Sequence, residues 1–274
     1  MLVVSYTYLA NPEIDTEGYM TAQYMTMLED YLGSIKLTGK CAVLYAGGVL
    51  LSASEARNTK KKSVKLRRKA LKSTLAIKEV AAYSMHKYIG MIEGRENVAY
   101  ASINGNTCAS GMYSLYEASK LFDDGFDEVV IIAEEKTSYN TLRVFQESRI
   151  DLKVGEGVAI MHLTKDGNSI SDCKWAYEYN RNPFMVTEEG YREVDSPSDY
   201  VKPHGTGTVT NEEAEKAAFG DRPQIRYKEE IGHTQGLSGL LEVCRVLDEG
   251  LADKDVLCVA SGLGGFYGSC VVHL

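Results

Sequence analysis

Two successive rounds of alternating apolar runs and helix-patterned segments constrain this sequence more than any other feature. Short apolar runs of strand length are separated by longer amphipathic stretches, which indicates an α/β fold. The polar turn Lys165-Asp166-Gly167-Asn168 interrupts the alternation, and the same rhythm then begins again. We therefore predict two similar halves, residues 1–165 and residues 166–274.

The alternation also predicts the elements of each half. In the first half we predict five strands and three helices: strands at 1–9, 40–46, 97–103, 128–133 and 157–163, and helices near 17–32, 63–92 and 109–123. In the second half we predict five strands and two helices: strands at 171–179, 199–203, 224–228, 255–260 and 269–274, and helices at 211–219 and 237–249. Three of these strands end in the motifs that carry the chemistry discussed below.

Charge and cysteine usage narrow the functional classes. The 30 Lys and Arg residues against 38 Asp and Glu give a net charge of -8, which argues against nucleic-acid binding driven by the field of the whole molecule. No apolar run is long enough to span a bilayer. The six cysteines include no CxxC pair and no histidine cluster beside them, so we predict no metal site. The start of the sequence lacks the pattern of a signal peptide, and we expect a reduced, cytoplasmic protein.

One segment departs from the acidic average. Nine basic residues and no acidic residue lie between Arg57 and Lys72. Four of them share one face of a predicted helix because they follow the spacing i, i+3, i+4 and i+7: Lys65, Arg68, Lys69 and Lys72. This face is either a solvated helix surface or a docking patch for an acidic partner.

The first chemical motif is the segment from Asn104 to Met112, which contains Cys108. It lies between a predicted strand and a predicted helix, where the helix dipole favours a thiolate and raises nucleophilicity. The small residues that follow Cys108 leave room for a substrate. The alternative is a buried structural cysteine at a helix start.

The other two motifs each present a histidine in a glycine-rich loop. His204 begins the sequence His-Gly-Thr-Gly-Thr after a short predicted strand, and His233 follows Gly232 after another. A surface-loop histidine is the alternative for His204. Two histidines and one cysteine in similar strand-loop-helix settings form the constellation used in cysteine acyl chemistry.

These motifs resemble those of β-ketoacyl synthases of the thiolase superfamily, the elongating type with a Cys-His-His triad. The matching segments occur in the family's order: Cys108, Gly155-Glu156-Gly157, His204 to Thr208 with Glu215, Lys228 with His233, and Ser261 to Gly265. The resemblance implies a thiolase-like α/β fold of two αβαβα halves related by a pseudo-dyad. With 274 residues, the chain is an unusually short member.

The resemblance also implies roles for individual residues. Cys108 would carry an acyl group, while His204 and His233 would bind the carbonyl of a malonyl thioester and stabilise the enolate formed by decarboxylation. Lys228 and Glu215 would order the histidines. The implied reaction is a decarboxylating Claisen condensation, without metal or organic cofactor.

Three further expectations follow from the resemblance. Backbone N–H groups of Cys108 and of Leu263 or Gly264 would form an oxyanion hole. The hydroxyls of Thr206 and Thr208 would contact the substrate. An acidic acyl carrier protein would be the partner, and its charge, not a family motif, leads us to expect that it docks on the basic face of Lys65, Arg68, Lys69 and Lys72.

Departures from the family leave two alternatives. The first half is short, and Asn211 and Glu212 replace the family's usual Gly-Asp pair, so we expect a homodimer, or a heterodimer with another ketosynthase subunit, to complete the pocket. A helper subunit like a chain-length factor is the first alternative. The second is a thiolase-type coenzyme A enzyme, which needs a second catalytic cysteine in its terminal loop; Cys258 precedes that loop.

Overall fold

The computed structural model describes residues 1–11, 22–47, 81–135, 152–182 and 184–274. Within these ranges the strands are β1 Leu2–Asn11, β2 Cys41–Gly47, β3 Val98–Asn104, β4 Glu128–Glu135, β5 Glu156–Thr164, β6 Ile170–Tyr177, β7 Tyr200–Lys202, β8 Asp255–Gly262 and β9 Phe266–His273. The helices are α1 Ala22–Ser34, α2 over 81–89, α3 Ser110–Asp123, α4 Glu188–Glu193, α5 Val209–Phe219, α6 Lys228–Ile231 and α7 Ser238–Leu247. Short 3₁₀ turns precede β3, α3 and α7: Arg95–Asn97, Thr107–Ala109 and Gln235–Leu237.

The strands form two sheets with one repeated topology. The first sheet has the order β1-β5-β4-β2-β3, in which β2 is parallel to β3 and β4 while β5 is antiparallel to its neighbours. The second sheet has the order β6-β9-β8-β7, with the same directions for its four strands. Gln224 forms a parallel bridge to Val201 of β7, at the place that β3 occupies beside β2.

Helices α3 and α7 lie between the two sheets. Alternate residues of each strand point to opposite faces, so Leu44 and Ile131 of the first sheet and Cys258 of the second face this central layer. The outer face of the first sheet packs against α1 and α2. The outer face of the second sheet packs against α4 and α5. The chain therefore forms five layers in the order helix, sheet, helix, sheet, helix.

The two central helices approach each other through a reciprocal pair of glycines. A Cβ on Gly111 of α3 would lie 2.7 Å from the backbone N of Leu240 in α7. A Cβ on Gly239 of α7 would lie 2.7 Å from the backbone N of Met112 in α3. Larger side chains at either position would separate the helices and, with them, the segments that precede them.

The predicted α/β class and most elements are confirmed. The strand predicted at 224–228 is reduced to the single bridge at Gln224, where the Val201 amide donates to the Pro223 carbonyl and the Ile225 amide donates to the Val201 carbonyl, both at 2.9 Å. The chain then turns away from β7, because the amides of Glu230 and Ile231 bond back to the Tyr227 carbonyl and form helix α6. Helix α4 was missed because its six residues are too few to show a period, although the Thr187 side chain caps it by accepting from the Gly190 amide at 3.0 Å. Of the helix predicted at 63–92, only 81–92 falls within the described ranges, and its helical part is α2. No helix of the described ranges is long and apolar enough to cross a membrane.

Candidate active site

Cys108 lies in the 3₁₀ turn Thr107–Ala109 that joins β3 to α3, and its side chain is buried. Thr107 has a φ of 55°, a conformation that few non-glycine residues adopt. The corresponding turn before α7 also begins with a positive φ, 48° at Gln235. The two turns touch, since a Cβ on Gly236 would lie 3.1 Å from the Thr107 carbonyl oxygen. The nucleophile therefore lies where the starts of the two central helices meet.

His204 follows β7 and is held through its backbone. The Lys228 ammonium group donates a hydrogen bond to the His204 carbonyl oxygen. The next amide, that of Gly205, donates to the Glu215 carboxylate at 2.8 Å. Both anchoring side chains are buried, so the loop that carries His204 is fixed from the protein interior.

His233 is held by backbone bonds on one side and by a serine on the other. Its amide donates to the Lys153 carbonyl at 2.7 Å, and its carbonyl accepts from the Gly155 amide at 3.1 Å. Its Nδ1 atom lies 3.1 Å from the Ser238 hydroxyl, at the start of α7. A Cβ on Gly155 would lie 2.1 Å from the Ile231 carbonyl oxygen, so only glycine allows this approach.

Cys108, His204 and His233 line one cavity of about 230 Å³. The two imidazole rings are 5.1 Å apart between centroids and nearly perpendicular, at 85°. One part of the wall carries hydroxyl and amide groups: Thr206, Thr208, Thr210, Asn211, Asn182 and Ser261. Another part is apolar: Leu152, Phe184, Met185, Val186 and Leu263. The cavity thus presents a thiol and two imidazoles to a ligand that has both polar and apolar portions.

A buried charge cluster lies behind the histidines. Glu242 of α7 accepts hydrogen bonds from Lys202 through one oxygen and from Lys228 through the other, the latter at 2.6 Å. Lys202 and Glu242 are each 1% exposed. Sequence reasoning identified Lys228 and missed the other two. The sequence did contain a signal for Lys202 and Glu242. Glu242 is the sole acidic residue of the mostly apolar helix α7, and a carboxylate on such a helix requires a buried partner.

These charges and the burial of the site shift its pKa values. Burial, followed by the positive charge of Lys228, holds the pKa of both His204 and His233 well below the usual histidine range. Both imidazoles are therefore neutral at pH 7, able to donate a hydrogen bond from one ring nitrogen and to accept one at the other.

The pKa of the Cys108 thiol is raised, whereas the pKa values of the two histidines are lowered. Burial, and next the negative charge of Glu135, raises the pKa of Cys108 to about 12, although Lys228 and backbone hydrogen bonds from Leu263 and from Cys108 itself oppose the rise. The thiolate expected from the helix start is therefore disfavoured, because desolvation outweighs the helix end. Reaction at Cys108 requires that its proton be removed as the sulfur attacks.

The other predicted site residues fall into four groups. Thr206, Thr208 and Leu263 line the cavity, whereas Glu215 and Lys228 lie behind it as anchors of the His204 loop. Gly264 follows Leu263 in the same loop but lies outside the cavity lining within the described part of the chain. The predicted docking residues Lys65, Arg68, Lys69 and Lys72 lie outside the described residues.

Solved structures similar to this chain come from condensing enzymes. A ketosynthase of the bacillaene polyketide synthase of Bacillus amyloliquefaciens matches with a TM-score of 0.61 at 15% identity, over 90% of this chain and 58% of that one. A ketosynthase in complex with its chain length factor from Xenorhabdus doucetiae matches with a TM-score of 0.57 at 14% identity, over 96% and 82%. The 3-oxoacyl-(acyl carrier protein) synthase III of Pseudomonas aeruginosa matches with a TM-score of 0.54 at 14% identity, over 97% and 94%.

These matches establish the fold. No protein-family model matches the sequence, and no curated protein sequence matches it. The chain spans 58% and 57% of the lengths of the first two ketosynthases that it matches. The predicted resemblance to thiolase-superfamily condensing enzymes is thus confirmed for the fold: the chain has the thiolase-like α/β architecture of these proteins.

Proposed function

We propose that this protein is a β-ketoacyl synthase that joins an acyl group to a malonyl thioester by decarboxylating Claisen condensation. The observation that carries the proposal is that the Cys108 thiol and two neutral histidines line the same cavity. The Leu263 backbone also forms a hydrogen bond with the Cys108 sulfur. An acyl nucleophile, two neutral hydrogen-bond donors and a backbone donor are the groups that this reaction needs.

The first half-reaction loads Cys108. The sulfur forms a bond to the acyl carbon of an incoming thioester while a neutral histidine accepts the thiol proton. The carbon–sulfur bond of the donor breaks, and the departing thiol takes the proton. Since burial raises the Cys108 pKa to about 12, this proton transfer must accompany attack.

The second half-reaction uses both histidines as donors to the malonyl thioester carbonyl. Loss of carbon dioxide leaves an electron pair on the adjacent carbon, and the resulting enolate is stabilised by the two N–H groups. Its carbon then attacks the acyl-Cys108 carbonyl, the bond between the acyl carbon and the sulfur breaks, and the departing Cys108 sulfur takes up a proton from solvent. This role requires Nε2 of His233 to carry the ring proton, which follows if Ser238 donates to Nδ1.

The buried charges act on the histidines in this proposal. Lys228 holds the His204 backbone, and Glu215 holds the Gly205 amide, as the resemblance implies for this supporting pair. Glu242 joins Lys228 to Lys202 and keeps the two ammonium groups in place. Both lysines also favour neutral imidazoles.

An acidic acyl carrier protein is the proposed partner, and a homodimer, or a heterodimer with another ketosynthase subunit, is the proposed assembly. Strand β3 forms an edge of the first sheet and exposes apolar side chains, among them Tyr100 at 39% and Ile103 at 37%. An edge strand of this kind can pair with a strand of a second chain.

We also propose that 1–165 and 166–274 are the two functional halves, and that the six free thiols reflect a cytoplasmic protein.

Intact-mass measurement after incubation with acyl-carrier-protein thioesters tests the proposal. The protein should gain one acyl mass, Cys108→Ala should gain none, and Cys173→Ala, which removes a partly exposed thiol elsewhere, should behave as wild type. The single variants His204→Ala and His233→Ala each keep one histidine to accept the thiol proton, so both should retain acylation and lose condensation with malonyl thioester, which uses both histidines. A wild-type protein that gains no acyl mass, alone or with a full-length ketosynthase, would refute the proposal.

That negative result would favour the helper-subunit alternative, since one similar structure is a ketosynthase with its chain length factor. The thiolase-type alternative has less support. Its second cysteine would have to reach the cavity, but Cys258 is fully buried in β8 opposite Cys270 and faces the central helices.

A further inference from the structure

The hydroxyl group of Tyr191 lies at the centre of a buried chain of hydrogen bonds. It donates to Oδ1 of Asn211 at 2.6 Å, lies at the longer distance of 3.4 Å from Oε1 of Glu215, and lies 3.0 Å from the Ser261 hydroxyl. Nδ2 of Asn211 donates in turn to Glu215 at 2.7 Å, on the same oxygen that accepts from the Gly205 amide at 2.8 Å. We propose that Tyr191 is a positioning residue that fixes the His204 loop relative to the Leu263 loop, an inference that rests on the proposed function.

The donor inventory gives this chain a single direction. A tyrosine hydroxyl has one proton, which is used toward Asn211, so Ser261 must donate its own proton to the Tyr191 oxygen. The bonds then run from Ser261 through Tyr191 and Asn211 to Glu215, where the Gly205 amide meets them. Ser261 precedes Leu263 by two residues, and Gly205 directly follows His204. One hydroxyl therefore connects the loop of the proposed oxyanion donor to the loop of a proposed catalytic histidine.

The tyrosine ring is held firmly enough to serve this purpose. Tyr191 is completely buried in α4, with edge-to-face contacts to Phe219 at 5.5 Å and to Tyr267 at 5.2 Å between ring centroids. A packed aromatic ring has few alternative rotamers, so its hydroxyl stays at one point. The side chain does not line the cavity, whereas Asn211 and Ser261 do. Tyr191 thus acts on the site through its two neighbours.

The connection through Asn211 depends on a residue that departs from the family pattern. The resemblance expects glycine at position 211, and glycine has no side chain, so Tyr191 would then reach Glu215 only through their direct contact at 3.4 Å. Asparagine supplies an acceptor for Tyr191 and a donor for Glu215. Asn211 in the His204 loop and Tyr191 in α4 therefore act together to hold this loop.

Tyr191→Phe removes the hydroxyl and keeps the ring. It leaves the Asn211 carbonyl and the Ser261 hydroxyl buried without this partner, so we expect the condensation kcat to fall roughly 10- to 100-fold. The KM for the acyl donor should stay within about twofold because the cavity lining is unchanged. The matched control is Tyr31→Phe, which removes a 2.8 Å hydrogen bond to Ser5 on the far face of the first sheet.

Hydrogen–deuterium exchange supplies a readout that does not depend on activity. In Tyr191→Phe, peptides that contain Gly205 and Leu263 should both exchange about tenfold faster than in wild type, with no change in Tyr31→Phe. Asn211→Ala should reproduce the effect, also if Tyr191→Phe folds poorly, and the double variant should be no worse than the more affected single variant.

Unchanged exchange in either loop would overturn the inference, as would an equal fall in kcat for the Tyr31 control. Failure of the proposed function is seen separately, as a wild-type protein that acquires no acyl mass. In that case coupled exchange of the two loops still supports the positioning role of Tyr191, and uncoupled exchange still refutes it.

Discussion

Glu242 lies between two buried lysines, and its replacement by glutamine tests how the charges behind the histidines balance. The carboxylate accepts from Lys202 on one oxygen and from Lys228 on the other. The cluster of these three side chains thus carries one surplus positive charge. Glu242→Gln preserves volume but removes the negative charge, so two ammonium groups remain buried and face an amide.

The expected loss of stability follows from this count. Removing one partner of a buried ion pair destabilises a protein by about 3–5 kcal/mol. For a chain of this size, about 2 °C in Tm corresponds to each kcal/mol, so Tm should fall by about 6–10 °C. Lys202→Met should have less than half this effect, because it removes the surplus charge and leaves one neutral pair.

Urea unfolding and thermal unfolding, both followed by circular dichroism, measure the two variants against a surface control. Glu93→Gln breaks the Lys36–Glu93 pair, whose side chains are 2.9 Å apart and 66% exposed, and should leave stability nearly unchanged because solvent screens this pair. The charge reasoning is refuted if Glu242→Gln is as stable as this control, or if Lys202→Met is destabilised as strongly as Glu242→Gln.

Two further predictions concern the histidines and the loop that holds them. Because the pKa values of His204 and His233 are lowered in the folded state, the unfolded state binds more protons from about pH 7.5 downward, so the free energy of unfolding should fall by about 2 kcal/mol between pH 6.5 and 5.5 and should become independent of these groups above about pH 7.5. Urea titrations across this range should give a shallower slope for His204→Asn, and an equal slope would contradict the assignment. Gly155→Ala places a Cβ 2.1 Å from the Ile231 carbonyl oxygen and should destabilise by about 1–3 kcal/mol while reducing activity through His233. Its control, Gly33→Ala in α1, meets nothing within 4 Å and should be neutral or stabilising by up to about 1 kcal/mol in the same urea titration.

Most of the fold could be predicted because its elements are long and have a clear period. The buried strands β2 and β4 have apolar sequences bounded by turns, and α3 shows an amphipathic pattern. Helix α4 could not be predicted in this way, since six residues including Gly190 show no period. The strand predicted at 224–228 pairs with β7 only at Gln224, because local turn bonds to the Tyr227 carbonyl, which composition does not reveal, start helix α6 at Lys228.

Some residues of the candidate site could likewise be predicted from the sequence, and others could not. Cys108, His204 and His233 could be proposed from their glycine-rich neighbourhoods, which are local features of the chain. Tyr191 and Lys202 could not, because each functions through partners distant in the sequence and neither stands in a motif. The protonation state of Cys108 could not be predicted from the sequence either, since it depends on burial and on the charge of Glu135 in β4.

The sequence by itself determined the two-part α/β rhythm and the order in which a cysteine and two histidines follow strands. Only the tertiary structure decided that these three groups share one cavity, and that Glu242 joins Lys202 to Lys228 behind it. The physical reason is that charge pairing and desolvation depend on distance in space. Lys202 and Glu242 are 40 positions apart in the chain, and packing of α7 against β8, the strand that pairs with β7, brings them into contact.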